Sequence, residues 1–153
     1  CHTCPREMVT WYAVVAFSRW LSAKIAGNIV LPTEQQWQRA AQGHDRRVFP
    51  WGNTWDSRKC NTSESKVGRT TPVTKYAEGT SPFGVYDLSG NVWEWTATDF
   101  TSGNSDLSNT NARVLRGGLW RGDPSLARVT YRYFNQPDFS NYSHGFRLAM
   151  LLT

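Results

Sequence analysis

The chain has 153 residues, with 17 Lys and Arg against 12 Asp and Glu and a net charge of +5. That length supports one hydrophobic core, so residues 1–153 are read as a single domain. Trp, Tyr and Phe make up 14% of the chain, which excludes the low-hydrophobicity composition of a disordered protein. No apolar run approaches the roughly 18 residues of a membrane span. Three cysteines are too few for a disulfide-stapled miniature fold, and the odd number leaves at least one thiol unpaired within the chain.

Two helices are legible, both in the first third. Thr10 is placed to cap a helix beginning at Trp11, and Val14, Phe17, Leu21 and Ile25 recur at helical spacing. Gly27 and Asn28 end it. Thr33 to Gln36 form a capping box after Pro32, with Trp37, Ala40 and Ala41 on one face and Gly43 as the stop. From Val48 onward, short apolar runs are broken by Gly, Pro, Asn and Ser. Candidate strands are Pro72–Lys75, Val92–Thr96, Val114–Arg116, Ala127–Tyr131 and Phe146–Leu151. Asn53–Thr71, Ala97–Ala112 and Gln136–Ser143 read as long polar loops. Loops of that length inside a compact domain are functional or need something to hold them. The pattern is that of an α+β domain.

Some chemistry can be read from single strings. In Gly90-Asn91-Val92-Trp93-Glu94-Trp95 the glycine permits a tight turn, after which strand alternation sends both tryptophans to one face and Glu94 to the other. A carboxylate beside Asp87 and the turn carbonyls suits a hard cation; an ion pair with one of the thirteen arginines is the other reading. Cys1-His2-Thr3-Cys4 has the spacing of a zinc or redox motif, and a zinc site would need Cys60 or His44 to complete it. A disulfide from Cys60 to Cys1 or Cys4, or plain thiols, are the alternatives. No phosphate-binding loop, nucleophile elbow or H-E-x-x-H string occurs.

Eight strings in register resemble one family. They are Val9-Thr10-Trp11-Tyr12-Ala13; Leu31-Pro32-Thr33-Glu34 with Trp37; Pro50-Trp51-Gly52-Asn53; Thr71-Pro72-Val73; Ser81 to Asp87; Ser89 to Trp95; Arg116-Gly117-Gly118 with Trp120; and Gly145-Phe146-Arg147. Together they look like the formylglycine-generating-enzyme, or sulfatase-modifying factor, family, over nearly the whole chain from Val9 onward. The resemblance implies a variant of the C-type lectin fold. The family's N-terminal strand region is missing and the chain begins at Cys1, so it is expected to be the C-terminal part of a longer protein. The resemblance also implies a structural calcium ion held by the side chains of Asp87 and Glu94 and the carbonyls of Gly90 and Val92. A second family calcium site maps to Asn61, Thr62, Ser65 and Val67, where Ser65 stands in place of the family's acidic ligand.

The resemblance argues against catalysis. The family's oxidases use two cysteines shortly after the Arg-Gly-Gly string, to bind copper and the substrate thiol. Here that stretch, Leu119 to Ser125, has no cysteine, and no other side chain is both soft copper ligand and exchangeable nucleophile. The related sulfoxide synthases bind iron through clustered histidines, whereas His2, His44 and His144 are scattered. Neither copper nor iron is expected. An oxidase relative acting on a thiol substrate is the alternative reading.

Leu119 to Gly145 contains no Lys, Glu or Met, and one Trp and one Gln. Randomising the adenines of an asparagine codon yields Asn, Tyr, Ser, Asp, His, Phe, Gly, Arg, Leu, Val, Ala and a few others, and never Lys, Glu, Gln, Met or Trp. The segment therefore resembles that of a variable protein of a diversity-generating retroelement, several of which use this fold. The resemblance implies a non-catalytic, ligand-binding domain with a diversified face at about residues 119–143. Its candidate residues are Leu119, Trp120, Arg121, Gly122, Asp123, Tyr133, Phe134, Asn135, Phe139, Ser140, Asn141, Tyr142 and Ser143, and its partner a protein or cell-surface ligand. Exposed Tyr and Phe among Ser, Asn and Gly is also a paratope composition. The competing reading makes Tyr133, Phe134 and Phe139 core aromatics. Arg113, Arg116, Arg121, Arg128, Arg132 and Arg147 crowd the C-terminal third, but Arg116 and Arg147 fall in framework strings, which disfavours a nucleic-acid partner.

Overall fold

A computed structural model describes residues 1–152. Helix α1 spans Trp11–Ile25 and α2 spans Glu34–Gln42. The strands are β1 (Ile29–Val30), β2 (Trp93–Asp99), β3 (Arg113–Arg116), β4 (Tyr133–Asn135), β5 (His144–Phe146) and β6 (Ala149–Met150). Four of them form one mixed sheet in the order β4-β3-β2-β5, antiparallel except for β2 against β5. β1 and β6 form a separate antiparallel pair.

Both helix starts follow their expected caps. The Thr10 hydroxyl accepts from the Ala13 amide, and Thr33 and Gln36 make the reciprocal bonds of a capping box. The buried face of α1 differs from the expected one. Trp11, Val14, Val15 and Ser18 face the core, while Phe17 and Ile25 are half exposed. Trp11 decides the rotation, because its indole must reach the Thr96 carbonyl (2.9 Å). A buried indole N–H needs such a partner.

β2 is buried along its whole length and divides the core in two. On one side, Trp93 and Trp95 pack with Trp11, Val14, Val15, Leu31 and Leu115. On the other, α2 brings Trp37 and Ala41 against Leu88 and Val129, and the Trp37 indole donates to Glu94 (2.6 Å). The expected alternation of two tryptophans against one carboxylate is present.

The strand expected at Ala127–Tyr131 is absent, and Arg116 supplies the reason. Its fully buried guanidinium donates to the carbonyls of Val129, Thr130 and Tyr131, and to Gln38. It also lies 3.2 Å from Glu34. Carbonyls satisfied by a side chain need no neighbouring strand. Pro72–Lys75 is likewise a turn, and the run from Phe146 to Leu151 splits between β5 and β6. Strand β2 extends beyond the expected Thr96 to Asp99, whose carboxylate accepts from the Thr101 and Ser102 amides and from Asn111, closing the loop that follows.

The other long loop is held by an asparagine ladder. Asn61 donates to Asn91 and to the Arg69 carbonyl, and Asn91 bonds both the amide and the carbonyl of Thr71. The approach is so close that a Cβ on Gly90 (φ +79°) would lie 2.2 Å from the Asn61 carbonyl oxygen, so only glycine fits there. Of the cysteines, Cys1 and Cys4 are joined to each other and Cys60 is buried and free. Cys60 is thus the plain thiol that one reading expected, while the pairing of Cys1 with Cys4 corrects the others, a Cys60 disulfide to one of the pair or a zinc site completed by Cys60 or His44.

Replacing Arg116 with Met leaves three carbonyls without their donor and Glu34 with Arg132 as its only cation. The variant is expected to lose about 3 kcal/mol or more of unfolding free energy. Urea denaturation measures this, and a loss below about 1 kcal/mol would contradict the role assigned to Arg116.

Candidate functional site

Three segments meet at the outer end of the Trp93 face to form a cleft of about 290 Å³. The loop after β3 contributes Leu119 and Arg121, β4 contributes Tyr133 and Asn135, and the loop before β5 contributes Phe139, Asn141 and Ser143. Seven of the thirteen candidate face residues thus line one concavity. Four further residues complete it: Trp93, Leu126, Tyr131 and His144. Trp93 stacks on Tyr133 (centroids 5.1 Å) and lies 5.9 Å from Tyr131. The His144 ring is edge-on to Phe139 at 5.4 Å. Burial pushes the His144 imidazole down to about 4, so it is neutral at physiological pH.

The remaining candidates divide. Tyr142 lies outside the cleft lining, but the Arg121 guanidinium sits 4.8 Å above its ring, a cation–π arrangement. Trp120 approaches the same ring at 6.1 Å, and its amide is fixed to the Asn91 carbonyl. Gly122 is framework: its carbonyl accepts from the Ser63 amide, and a Cβ there would meet Leu119 at 2.6 Å. Asp123 caps the short 3-10 turn Pro124–Ala127. Phe134 points to the opposite side of β4 and stacks on Phe100 at 4.3 Å, because successive strand residues alternate faces. Ser140 is exposed and outside the cleft lining. Asn141 and Ser143 line the cleft, yet Asn141 Oδ1 also accepts from the Ser143 amide in a local turn.

Sequence reasoning missed Leu126, Tyr131 and His144 as lining residues. A usable signal for His144 was its place immediately before the Gly145-Phe146-Arg147 string on the edge of the sheet, since β5 runs parallel to β2 and sets His144 opposite Trp93. Leu126 and Tyr131 had no such signal, because the strand expected around them is not formed.

The positions named for calcium lie at a second cleft of about 270 Å³, lined by Asp87, Val92, Glu94 and Arg147 among others. Arg147 donates to both oxygens of Glu94 at 2.6 Å, and Trp37 adds a third donor. The same guanidinium reaches the carbonyls of Tyr86 and Asp87. Asp87 accepts from Asn91, and burial pushes its carboxyl up to about 7. A calcium ion wants free carboxylate oxygens and no adjoining cation, so Asp87, Gly90, Val92 and Glu94 as arranged do not fit one. At Asn61, Thr62, Ser65 and Val67, the Ser65 hydroxyl lies 2.8 Å from both Asn61 Oδ1 and the Thr62 carbonyl oxygen. That set contains no carboxylate and does not fit calcium either. Among the described residues no group of three or more His, Cys, Asp and Glu side chains is placed to hold a metal.

Cys60 is the one free thiol among the described residues. Burial pushes it up to about 12, leaving it protonated and a poor nucleophile at neutral pH.

Comparison with known proteins places this geometry in a lineage. Bovine (Bos taurus) inactive C-alpha-formylglycine-generating enzyme 2 is 35% identical over 160 residues, which cover 95% of this chain and 50% of that protein. The chain spans about half the length of the curated relatives it matches first. Treponema denticola variable protein 1 superposes with a TM-score of 0.85 at 25% identity, covering 95% of this chain and 70% of that one. PvdO from Pseudomonas aeruginosa superposes with a TM-score of 0.86 at 25% identity, covering 98% and 63%. These matches carry the α+β, C-type-lectin-like fold expected from the resemblance. The profile of the sulfatase-modifying factor enzyme 1-like domain matches residues 2–152, and the chain belongs to that family.

Proposed function

We propose that this chain is a non-catalytic binding domain whose face around residues 119–143 is diversified to recognise a protein or cell-surface ligand, as in the variable proteins of diversity-generating retroelements. The observation that carries the reading is the convergence of Leu119, Arg121, Tyr133, Asn135 and Phe139 from three separate segments on one cleft. Arg121, Tyr133 and Phe139 are exposed there, so they contribute little to the core and are available to a partner. Likeness to a protein named as variable and to one named as inactive supports the same reading. So does the chemistry of the thiols: Cys1 and Cys4 are joined, and Cys60 is held protonated by burial. The alternative, oxidation of a thiol substrate, would need a reactive thiolate at the Leu119–Ser125 stretch, which has no cysteine.

The face and its scaffold are expected to respond differently to substitution. Replacing Arg121, Tyr133, Phe139 and Tyr142 together with alanine should lower the melting temperature by no more than about 8 °C, since each exposed change is worth about 0.5 kcal/mol. Leu119 is buried in the core cluster, and Leu119→Ser alone should cost more than any one of them. Near-complete unfolding of the quadruple variant would make these aromatics core residues and remove the binding face. Copper-dependent oxygen consumption on a thiol peptide would instead establish the oxidase reading; none above background is expected.

Calcium enters here only as a test. We infer that Arg147 supplies the counter-charge Glu94 requires, so a chelator should leave the melting temperature unchanged within about 1 °C. A fall restored by added calcium would reinstate the ion, because a ligand bound only to the folded state stabilises by mass action.

A further inference from the structure

The cleft of this particular chain has a definite chemistry. Its walls combine aromatic and aliphatic side chains, Trp93, Tyr131, Tyr133, Phe139 and Leu126, with the polar ones of Asn135, Asn141 and Ser143. No carboxylate lines it, and its one permanent charge is Arg121. The His144 ring nearby is neutral through burial.

Arg121 is both placed and unused. Its guanidinium rests over Tyr142, which fixes it at the rim. Among the described residues it makes no salt bridge, the five ion pairs all belonging to other arginines. Asp123, the acid closest in sequence, is turned to cap Ser125. Five of the thirteen arginines pair with an acid, Arg47, Arg58, Arg116, Arg132 and Arg147, and Arg121 is the one unpaired arginine that lines this cleft. An arginine braced on an aromatic ring beside an apolar cavity is a common anchor for a partner's carboxylate.

We propose that the cleft seats one bulky apolar side chain of a protein ligand, and that an aspartate or glutamate next to it in the ligand pairs with Arg121. This rests on the binding-face reading above and adds the ligand's chemistry to it. Burial against the aromatic walls and the pairing with Arg121 both supply affinity, and the charge supplies selection against basic partners. The cavity volume of about 290 Å³ takes a single Phe- or Leu-sized group, not an extended hydrophobic strip.

The test is selection of phage-displayed random linear peptides on the wild-type domain and on Arg121→Glu. Arg121 is exposed, so this variant should melt with the wild type. Wild-type selection is expected to yield an aromatic or aliphatic residue flanked by Asp or Glu. These peptides should lose about tenfold or more in affinity for Arg121→Glu, and also lose affinity for Tyr133→Ala and Phe139→Ala. Selection on Arg121→Glu should turn to Lys or Arg at the flanking position. Peptides sensitive to Tyr133→Ala but without acidic bias, and indifferent to Arg121→Glu, would overturn this inference and leave the binding face standing. Peptides indifferent to all three substitutions would overturn both. Free 3-phenylpropionate binding as tightly as the peptides would move the ligand from proteins to small carboxylates, and so overturn the protein partner.

Discussion

The guanidinium of Arg116 lies wholly buried between α2 and the irregular stretch 129–131, where it satisfies three carbonyls, Gln38 and Glu34. The rest of the architecture depends on that arrangement. It fixes the chain leading into β4 without using a strand, and so leaves Tyr131 and Tyr133 free to stand beside Trp93. Buried charge of this kind costs desolvation, which here drives the arginine down to about 10, and is tolerable only because its donors are nearly all matched. Glu94 with Arg147 and Trp37 repeats the device one strand position away. Of the thirteen arginines, Arg113, Arg116 and Arg147 are internal struts, while most of the others are exposed.

A scaffold braced from behind permits a face that does little bracing. Trp93 marks the boundary: one side of its ring belongs to the core cluster, and the other floors the cleft. Beyond it, side chains from strand β4 and the two flanking loops meet at the surface, with Arg121, Tyr133 and Phe139 exposed. Gly122 and Asp123 show where that freedom narrows, since a Cβ on the one would push the Leu119 side chain aside and the other caps a turn. The face proposed to be diversified is therefore narrower than the segment that contains it.

Much of this was legible in the sequence, and the failures have physical causes. Helix starts were readable because Thr10 and Thr33 cap through local bonds. The face of α1 was not, because the indole of Trp11 overrides a periodicity that fits Phe17 and Ile25 nearly as well. The apolar run at Ala127–Tyr131 reads as a strand until Arg116 is known to take its carbonyls, a contact between distant segments. Tyr133 and Phe134 are adjacent in sequence, yet one lines the cleft and the other stacks on Phe100. Composition alone cannot separate them. For Glu94, the arginine partner was one of two readings open from the sequence, and the geometry places Arg147 there.

The central claim is that the segment from Leu119 to Gly145 varies while its scaffold is held constant. Sequencing the DNA on either side of the gene tests it most directly. The account predicts a nearby near-repeat of the segment's coding sequence, differing at positions that are adenine in one copy, together with a reverse-transcriptase gene. Substitutions should fall on the codons of Arg121, Tyr133, Asn135 and Phe139 and spare those of Trp93, Arg116 and Gly122. A neighbourhood with neither the repeat nor the reverse transcriptase would contradict it.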